Sequence, residues 1–336
     1  MARSRSPRVD PERSEVAVHL VAAGGSGQGG GHVSRMLALA EALAARRLGV
    51  SVTILGGSLQ GEAARRAGKL RLNETPIPDR GIVVADLPNP VEAIGLAPAD
   101  RLVVFDDRDA FSGTAAIVVQ PSQGVWEGPG HGDRVLAGYD YVPLAKRYRE
   151  LRDDPPSAAD RDEEGRHRIV FCLGGSDPAL VTERLAPSLL AGPAKDEPEW
   201  SISVIVGSGH HLPAAGSTIP LLVDPADLPD RLAAAELAIV GAGTMKFEVA
   251  CLRVPAILTG VADDQLAVGR AFAATGSAVW LGDGRTLDPA ELRRATIRIL
   301  RDRAARDAMA TRAGQTVDGR GAERLADAIL ELARSA

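Results

Sequence analysis

His32 closes a glycine-rich run, Gly24-Gly25-Ser26-Gly27-Gln28-Gly29-Gly30-Gly31, that joins a β-branched apolar stretch to an alanine-rich one with helical spacing. Imidazole titrates near neutrality, so a histidine at the rim of such a loop can take a proton from a hydroxyl, a ring nitrogen or water. The glycines let the backbone approach a ligand closely, and Gly30 and Gly31 place the first unpaired N–H groups of the following helix where a phosphate or sugar would lie. A plain strand-to-helix turn with a capping histidine is the alternative that this segment leaves open.

Three segments of the second half end β-rich runs in the same way. Gly174-Gly175-Ser176-Asp177 follows residues 168–173; the glycines suit a diphosphate, and Ser176 and Asp177 suit a helix cap equally well. Gly243-Thr244 follows residues 237–240 and opens a helix whose first turn holds Lys246 and Glu248. Thr244 suits phosphate oxygens, Glu248 the two hydroxyls of a ribose, and Lys246 either a sugar carboxylate or solvent. Asp263-Asp264-Gln265 follows residues 256–258 and presents acids and an amide to sugar hydroxyls or to a helix start. In the first half, Asp106 and Asp107 end the run 101–105 and stand as partners for His32 or for an acceptor, while Arg35 is a second cation for a sugar carboxylate.

Short β-rich runs alternating with amphipathic ones must position these groups, a pattern that builds parallel sheets with crossover helices. The strands of the first half are expected at 16–21, 51–55, 81–84, 101–105 and 116–119, with helices at 33–47 and 59–67. A second series follows at 168–173, 201–206, 221–223, 237–240, 256–258 and 278–281, and helices run from Pro289 onward. Residues 153–166, with paired prolines and many charges, read as an interdomain linker. The expected organisation is a disordered tail at 1–13, a Rossmann-like acceptor-side domain at 14–150, a linker at 151–166, a Rossmann-like nucleotide-sugar domain at 167–318, and a helix at 319–336 that crosses back to the first lobe. Two such lobes place a site in the cleft between them, outside the carboxyl ends of the strands.

Composition narrows the function. A chain of 336 residues is long enough for two cores, and 45% hydrophobic with 25% charged residues is ordinary for a globular protein. A net charge of −5, with no basic stripe interleaved with aromatics, argues against a nucleic-acid partner. No apolar run approaches the about 20 residues that cross a bilayer, and the polar start, Met1-Ala2-Arg3-Ser4, lacks an apolar signal segment, so the expected location is cytoplasmic. Cys172 and Cys251 are the two cysteines; their apolar surroundings and wide spacing point to buried thiols, with neither disulfide nor zinc. Neither half has GxGxxG followed by an acid at the end of the next strand, which disfavours a dinucleotide cofactor.

GGGHVSR at 29–35, VVFDD at 103–107, VLAGYDYVPL at 135–144, FCLGGSDP at 171–178, VGAGTMKFEVACLRVPAI at 240–257, DDQ at 263–265 and VDGRGAERLADAI at 317–329 together resemble a group of GT-B nucleotide-sugar enzymes. That group contains the UDP-sugar hydrolase of pseudaminic acid biosynthesis and spore-coat polysaccharide proteins, and more distantly the N-acetylglucosaminyltransferase of peptidoglycan lipid intermediates. The resemblance implies diphosphate near Gly174, Gly175, Ser176, Gly243 and Thr244, ribose on Glu248, His32 as base, and no metal or cofactor beyond the UDP-sugar itself. The chain departs from the hydrolases in having Val21-Ala22-Ala23 where they have Arg-x-Asp, and Asp264-Gln265 where they have Asn-Gln. Asp-Gln resembles the donor-hydroxyl element of sugar-transferring GT-B enzymes.

The expected protein is therefore an inverting, metal-independent glycosyltransferase with a UDP-sugar donor and a small-molecule acceptor. Arg35 and Lys246 suggest a uronic donor, in the manner of enzymes that join UDP-glucuronic acid to cytosine in nucleoside-antibiotic pathways. A UDP-sugar hydrolase, with His32 activating water, and a non-catalytic sugar-nucleotide-binding protein are the alternatives.

Overall fold

The computed structural model describes residues 17–24, 30–56, 71–72, 80–122, 132–156, 165–177, 179–210 and 219–335. Residues 1–16, most of the glycine run (25–29), the helix expected at 59–67 and the middle of the expected linker (157–164) lie outside them.

Two parallel sheets organise the chain. The first contains β1 (Ala17–Ala23), β2 (Gly49–Leu55), β3 (Arg71–Leu72), β4 (Ile82–Asp86), β5 (Leu102–Phe105), β6 (Ala115–Gln120) and β7 (Gly132–Ala137), in the order β3-β2-β1-β4-β5-β6-β7. The second contains β8 (His167–Cys172), β9 (Trp200–Val206), β10 (Leu221–Val223), β11 (Leu237–Gly241), β12 (Ala256–Gly260) and β13 (Val279–Asp283), in the order β10-β9-β8-β11-β12-β13. The strand order reverses between β1 and β4 in one sheet and between β8 and β11 in the other. In open parallel sheets these reversals leave a crevice at the carboxyl ends of the strands.

Near-continuous apolar runs form the central strands because both faces are covered. One face of the first sheet packs Val18, Leu20, Val84, Val103 and Phe105 against helix α1 (Gly31–Ala45). The other face buries Val21, Val83, Ala85, Val104 and Phe111. The second sheet is likewise covered on both sides, around Val170, Val240 and Leu258 on one face and Phe171, Ile239 and Ile257 on the other.

The chain passes into the second lobe earlier than the composition suggests. Val142, Leu144 and Tyr148, the last on helix α2 (Lys146–Asp153), belong to the core of the second sheet, so residues before the proline-rich stretch already form part of that lobe. The second sheet's connections include helices α3 (Val181–Leu185), α4 (Pro187–Leu190), α5 (Leu228–Ala233), α6 (Met245–Cys251) and α7 (Asp264–Ala274). After α8 (Pro289–Arg301) and α9 (Arg303–Thr316), helix α10 (Gly321–Ser335) packs Leu325, Ala326, Ala328 and Ile329 into the core of the first sheet. The return crossing is tight, because a β-carbon on Gly321 would stand 2.1 Å from the Val142 carbonyl oxygen.

Strands β3 and β7 were not foreseen. The first has two residues, and β7 is an edge strand whose Asp133 and Arg134 face solvent, which interrupts the apolar run expected of a strand.

Candidate functional site between the two switch points

His32 sits in the first turn of α1, directly after β1, and Asp86 ends the neighbouring strand β4. The imidazole Nδ1 lies 2.7 Å from Asp86 Oδ1. Asp86 also accepts two hydrogen bonds from Arg35, from Nε to Oδ2 and from Nη2 to Oδ1, both at 2.8 Å. In the tautomer that donates from Nδ1 to Asp86, Nε2 keeps its lone pair. Arg35 Nη2 directs one of its two N–H groups to Asp86 and also lies 3.2 Å from the same Nδ1. Asp86 is 1% exposed and His32 stays partly open.

Arg35 reaches further. Its Nη1 donates to Asp107 Oδ2 at 2.5 Å, and the guanidinium lies 5.5 Å from the centre of the Phe105 ring. Burial works against the charge on Arg35, and Asp107 and Asp86 overcome that cost and hold its pKa above the usual range. Burial likewise opposes the charge on Asp107, and Arg35, with the Ser122 N–H at 3.1 Å, keeps its carboxyl below the usual carboxylate range. The positive charge between these two carboxylates is therefore a side chain of the protein.

Strand alternation decides which acid takes part. Val84 and Asp86, and Val103, Phe105 and Asp107, point to the α1 side of the sheet, whereas Asp106 points to the other. Asp106 accepts from the backbone N–H groups of Arg108, Ala110 and Phe111 at 3.2, 3.0 and 2.9 Å and shapes the loop after β5. The carboxylate on His32 is thus Asp86, not Asp106 or Asp107 as expected. The sequence reading misses Asp86; the signal that marks it is its place at the end of the buried run Ile82–Asp86, on the strand beside the glycine loop.

The second lobe meets this cluster through its own two switch-point loops. A β-carbon on Gly31 would stand 2.7 Å from Thr244 Oγ1, and one on Gly175 would stand 3.1 Å from the Gly30 nitrogen. Gly30, Gly31, Gly175 and Thr244 therefore meet at one point, and Gly174, beside Gly175 in the chain, has φ +126°, a backbone conformation that suits glycine. Gly243 faces Gln265, whose Oε1 accepts from the Val261 N–H at 3.2 Å while its amide nitrogen lies toward Gly243. Ser176 is half-buried in the same loop, and Asp177 caps α3 by accepting from Val181 and Thr182 at 3.0 and 2.6 Å.

Glu248 is buried on the first turn of α6. Its charge acts on Cys172, whose thiol burial pushes up to about 12. Asp263 and Asp264 are exposed; Asp263 accepts from Arg285 at 2.5 Å. Lys246 is 1% exposed, and its ammonium donates to the carbonyls of Ala242 at 2.8 Å and Gly243 at 3.1 Å, 4.0 Å from the centre of the Phe247 ring. Burial pushes its pKa down to about 7 against the attraction of Asp107, with Arg35 lowering it and Asp264 raising it. Groups of the first lobe thus act on its charge, although its hydrogen bonds stay within its own turn.

Comparison with known proteins agrees with this architecture. No family model matches the chain. The spore coat polysaccharide biosynthesis protein SpsG of Bacillus subtilis (strain 168) is 26% identical over an alignment of 347 positions, covering 94% of this chain and 98% of the relative. Among solved structures, the spinosyn rhamnosyltransferase SpnG aligns with a TM-score of 0.62 at 14% identity, covering 96% of this chain and all (100%) of that one. MurG of Acinetobacter baumannii aligns with a TM-score of 0.55 at 17% identity, covering 94% and 99%. The chain has the two-lobed parallel α/β architecture of these proteins, the GT-B fold. No helix among the described residues is long and apolar enough to cross a membrane.

Proposed function

We propose that this protein is a glycosyltransferase that moves a sugar from a UDP-sugar to a small acceptor with inversion at the anomeric carbon and without a metal. The observation that supports it most is the His32–Asp86–Arg35 arrangement facing the meeting point of Gly31, Gly175 and Thr244.

In this reading the diphosphate lies along Gly30, Gly31, Gly174, Gly175, Ser176, Gly243 and Thr244, with ribose on Glu248 and sugar hydroxyls near Gln265, Asp263 and Asp264. His32 Nε2 takes the acceptor proton as the acceptor atom bonds to the anomeric carbon and the sugar–phosphate bond breaks toward UDP. The proton ends on His32, whose positive charge Asp86 stabilises, and the electron pair leaves with the diphosphate. Backbone N–H groups at the start of α1 and the Thr244 hydroxyl receive the new charge; each such donor is worth about 10²–10³ in rate by analogy with oxyanion holes. A positioned base contributes about 10²–10⁴ more.

The site supports a neutral hexose more than a uronic acid. Arg35 directs its N–H groups to Asp86 and Asp107, and Lys246 directs its own to carbonyls, so a donor carboxylate finds them engaged.

UDP release from UDP-glucose, UDP-N-acetylglucosamine and UDP-glucuronic acid, with and without a pool of small acceptors that includes cytosine, tests the proposal. Release that depends on acceptor is the expected result. Release without acceptor at the same rate would replace transfer by hydrolysis, and tight UDP binding without turnover would leave a binding protein.

A further inference from the structure

We infer that Lys246 is a positioning residue through which the donor loop of the second lobe sets the basicity of His32 in the first. This rests on the reading of His32 as the base, and it concerns a residue that touches neither His32 nor the reacting atoms.

The geometry makes Lys246 part of the β11–α6 turn. Its ammonium holds the carbonyls of Ala242 and Gly243, so it moves with the turn that presents Thr244. Lysine is seldom buried this fully, and an unbranched apolar side chain would fill the same space without the cost of burying a charge. What the amine adds is charge beside the other lobe. The charged groups that act on it are Asp107 and Arg35 of the first lobe and Asp264 of α7.

From Asp107 a continuous set of hydrogen bonds leads to the base. Asp107 binds Arg35 at 2.5 Å, Arg35 binds Asp86 twice at 2.8 Å, and Asp86 binds His32 at 2.7 Å. Arg35 is shared between two carboxylates. A charged Lys246 that acts on Asp107 supplies part of that carboxylate's counter-charge and leaves Arg35 to Asp86, which then attracts the His32 proton less. Without that charge Arg35 must serve both acids, Asp86 is left with more negative charge, and His32 holds its proton more tightly. Burial places the Lys246 amine close to neutrality, so an anion held by the turn raises its protonation, and the charge state of the donor loop reaches the base.

The test needs no turnover. The His32 ring is titrated by NMR in the full chain without nucleotide, its signals assigned with His32→Asn. In Lys246→Met and Lys246→Gln the apparent pKa of His32 is expected to rise by about 0.5 to 1 pH unit, the size of a unit charge acting through partly screened protein. In Asp107→Asn it is expected to fall. Lys246→Gln keeps an N–H donor for the two carbonyls and removes only the charge, so it serves if the methionine variant does not fold. A His32 titration within about 0.1 pH unit of wild type in the glutamine variant, on a folded protein, overturns the inference and leaves Lys246 a cap for its turn. With UDP as probe, the wild-type His32 titration is expected to shift and that of Lys246→Gln to shift less; equal shifts in both also count against it. If no UDP-sugar is turned over but the ligand-free shifts appear, the coupling stands and the transferase reading fails.

Discussion

Gly31 of the first lobe lies directly against Thr244 of the second, so closely that a β-carbon on Gly31 would stand 2.7 Å from the threonine hydroxyl. Two strand-to-helix turns from different sheets thus meet at the one place where both strand orders reverse. A side chain there would hold the lobes apart, and alanine favours helix more than glycine does. Gly31→Ala is therefore expected to lower kcat/KM by about 10-fold or more with no loss of Tm, since about 1 Å of misplacement can cost 100-fold in rate. Thr244→Ala removes the colliding oxygen, and in that background Gly31→Ala is expected to cost little. Equal costs in both backgrounds would show that the contact does not govern activity.

Asp86 and Asp106 make opposite predictions although both end strands of one sheet. Asp86→Asn replaces a carboxylate, which only accepts, by an amide that can also donate, so it no longer fixes the His32 tautomer, and it leaves Arg35 with a single carboxylate. A fall in kcat of about 10²–10⁴ is expected, with about 3 kcal/mol lost in urea denaturation. Asp106→Asn weakens three loop hydrogen bonds on the far face of the sheet and is expected to change kcat by less than about 10-fold. A larger loss at Asp106 than at Asp86 would reverse the assignment of the orienting acid.

That assignment also shows what the sequence could and could not reveal. The alternation of strands and helices, the glycine loops and the two-lobed fold are local patterns, and they were legible. So was the position of His32, Gly30, Gly31, Gly175 and Thr244 at the strand ends, because a strand followed by glycines and a helix start defines a loop at a carboxyl end. Asp86 escaped because its partner, Arg35, lies 51 residues away in sequence, and only the β1–β4 neighbour relation brings them together. Asp106 and Asp107 looked equivalent until the sheet's faces were known, since one step along a strand reverses the direction of a side chain. The inward direction of Lys246 was hidden for a similar reason: helical spacing gives a face, but not which lobe that face meets.

Lys246 gives stability a pH dependence of defined sign. Its folded pKa is lowered to about 7 from 10.5. Between these values the unfolded chain binds the proton and the folded one does not, so stability rises with pH across that window, while below it the cost of burying the charge is fully present. The unfolding free energy of wild type relative to Lys246→Met is expected to increase from pH 7 to pH 9. Urea midpoints at pH 7, 8 and 9 measure it, and a flat or falling difference contradicts a buried, proton-releasing amine.

Helix α10 joins the two lobes, and its inner and outer faces should contribute unequally. Leu325 is 1% exposed in the core of the first sheet, while Asp327 on the outer side pairs with Arg46 at 2.6 Å and remains mostly in solvent. Truncating a buried leucine removes its transfer free energy and leaves a cavity, about 2–5 kcal/mol, whereas an exposed ion pair is worth about 1 kcal/mol or less. Leu325→Ala is expected to lower Tm by many times the shift of Asp327→Ala. Because the helix follows directly on the second lobe, the leucine variant should also loosen the docking of the two lobes and raise the KM of the donor. A Leu325→Ala protein that melts with wild type would mean that the helix adds little to the first lobe, and that the meeting of Gly31 with Thr244 is held by the site loops themselves.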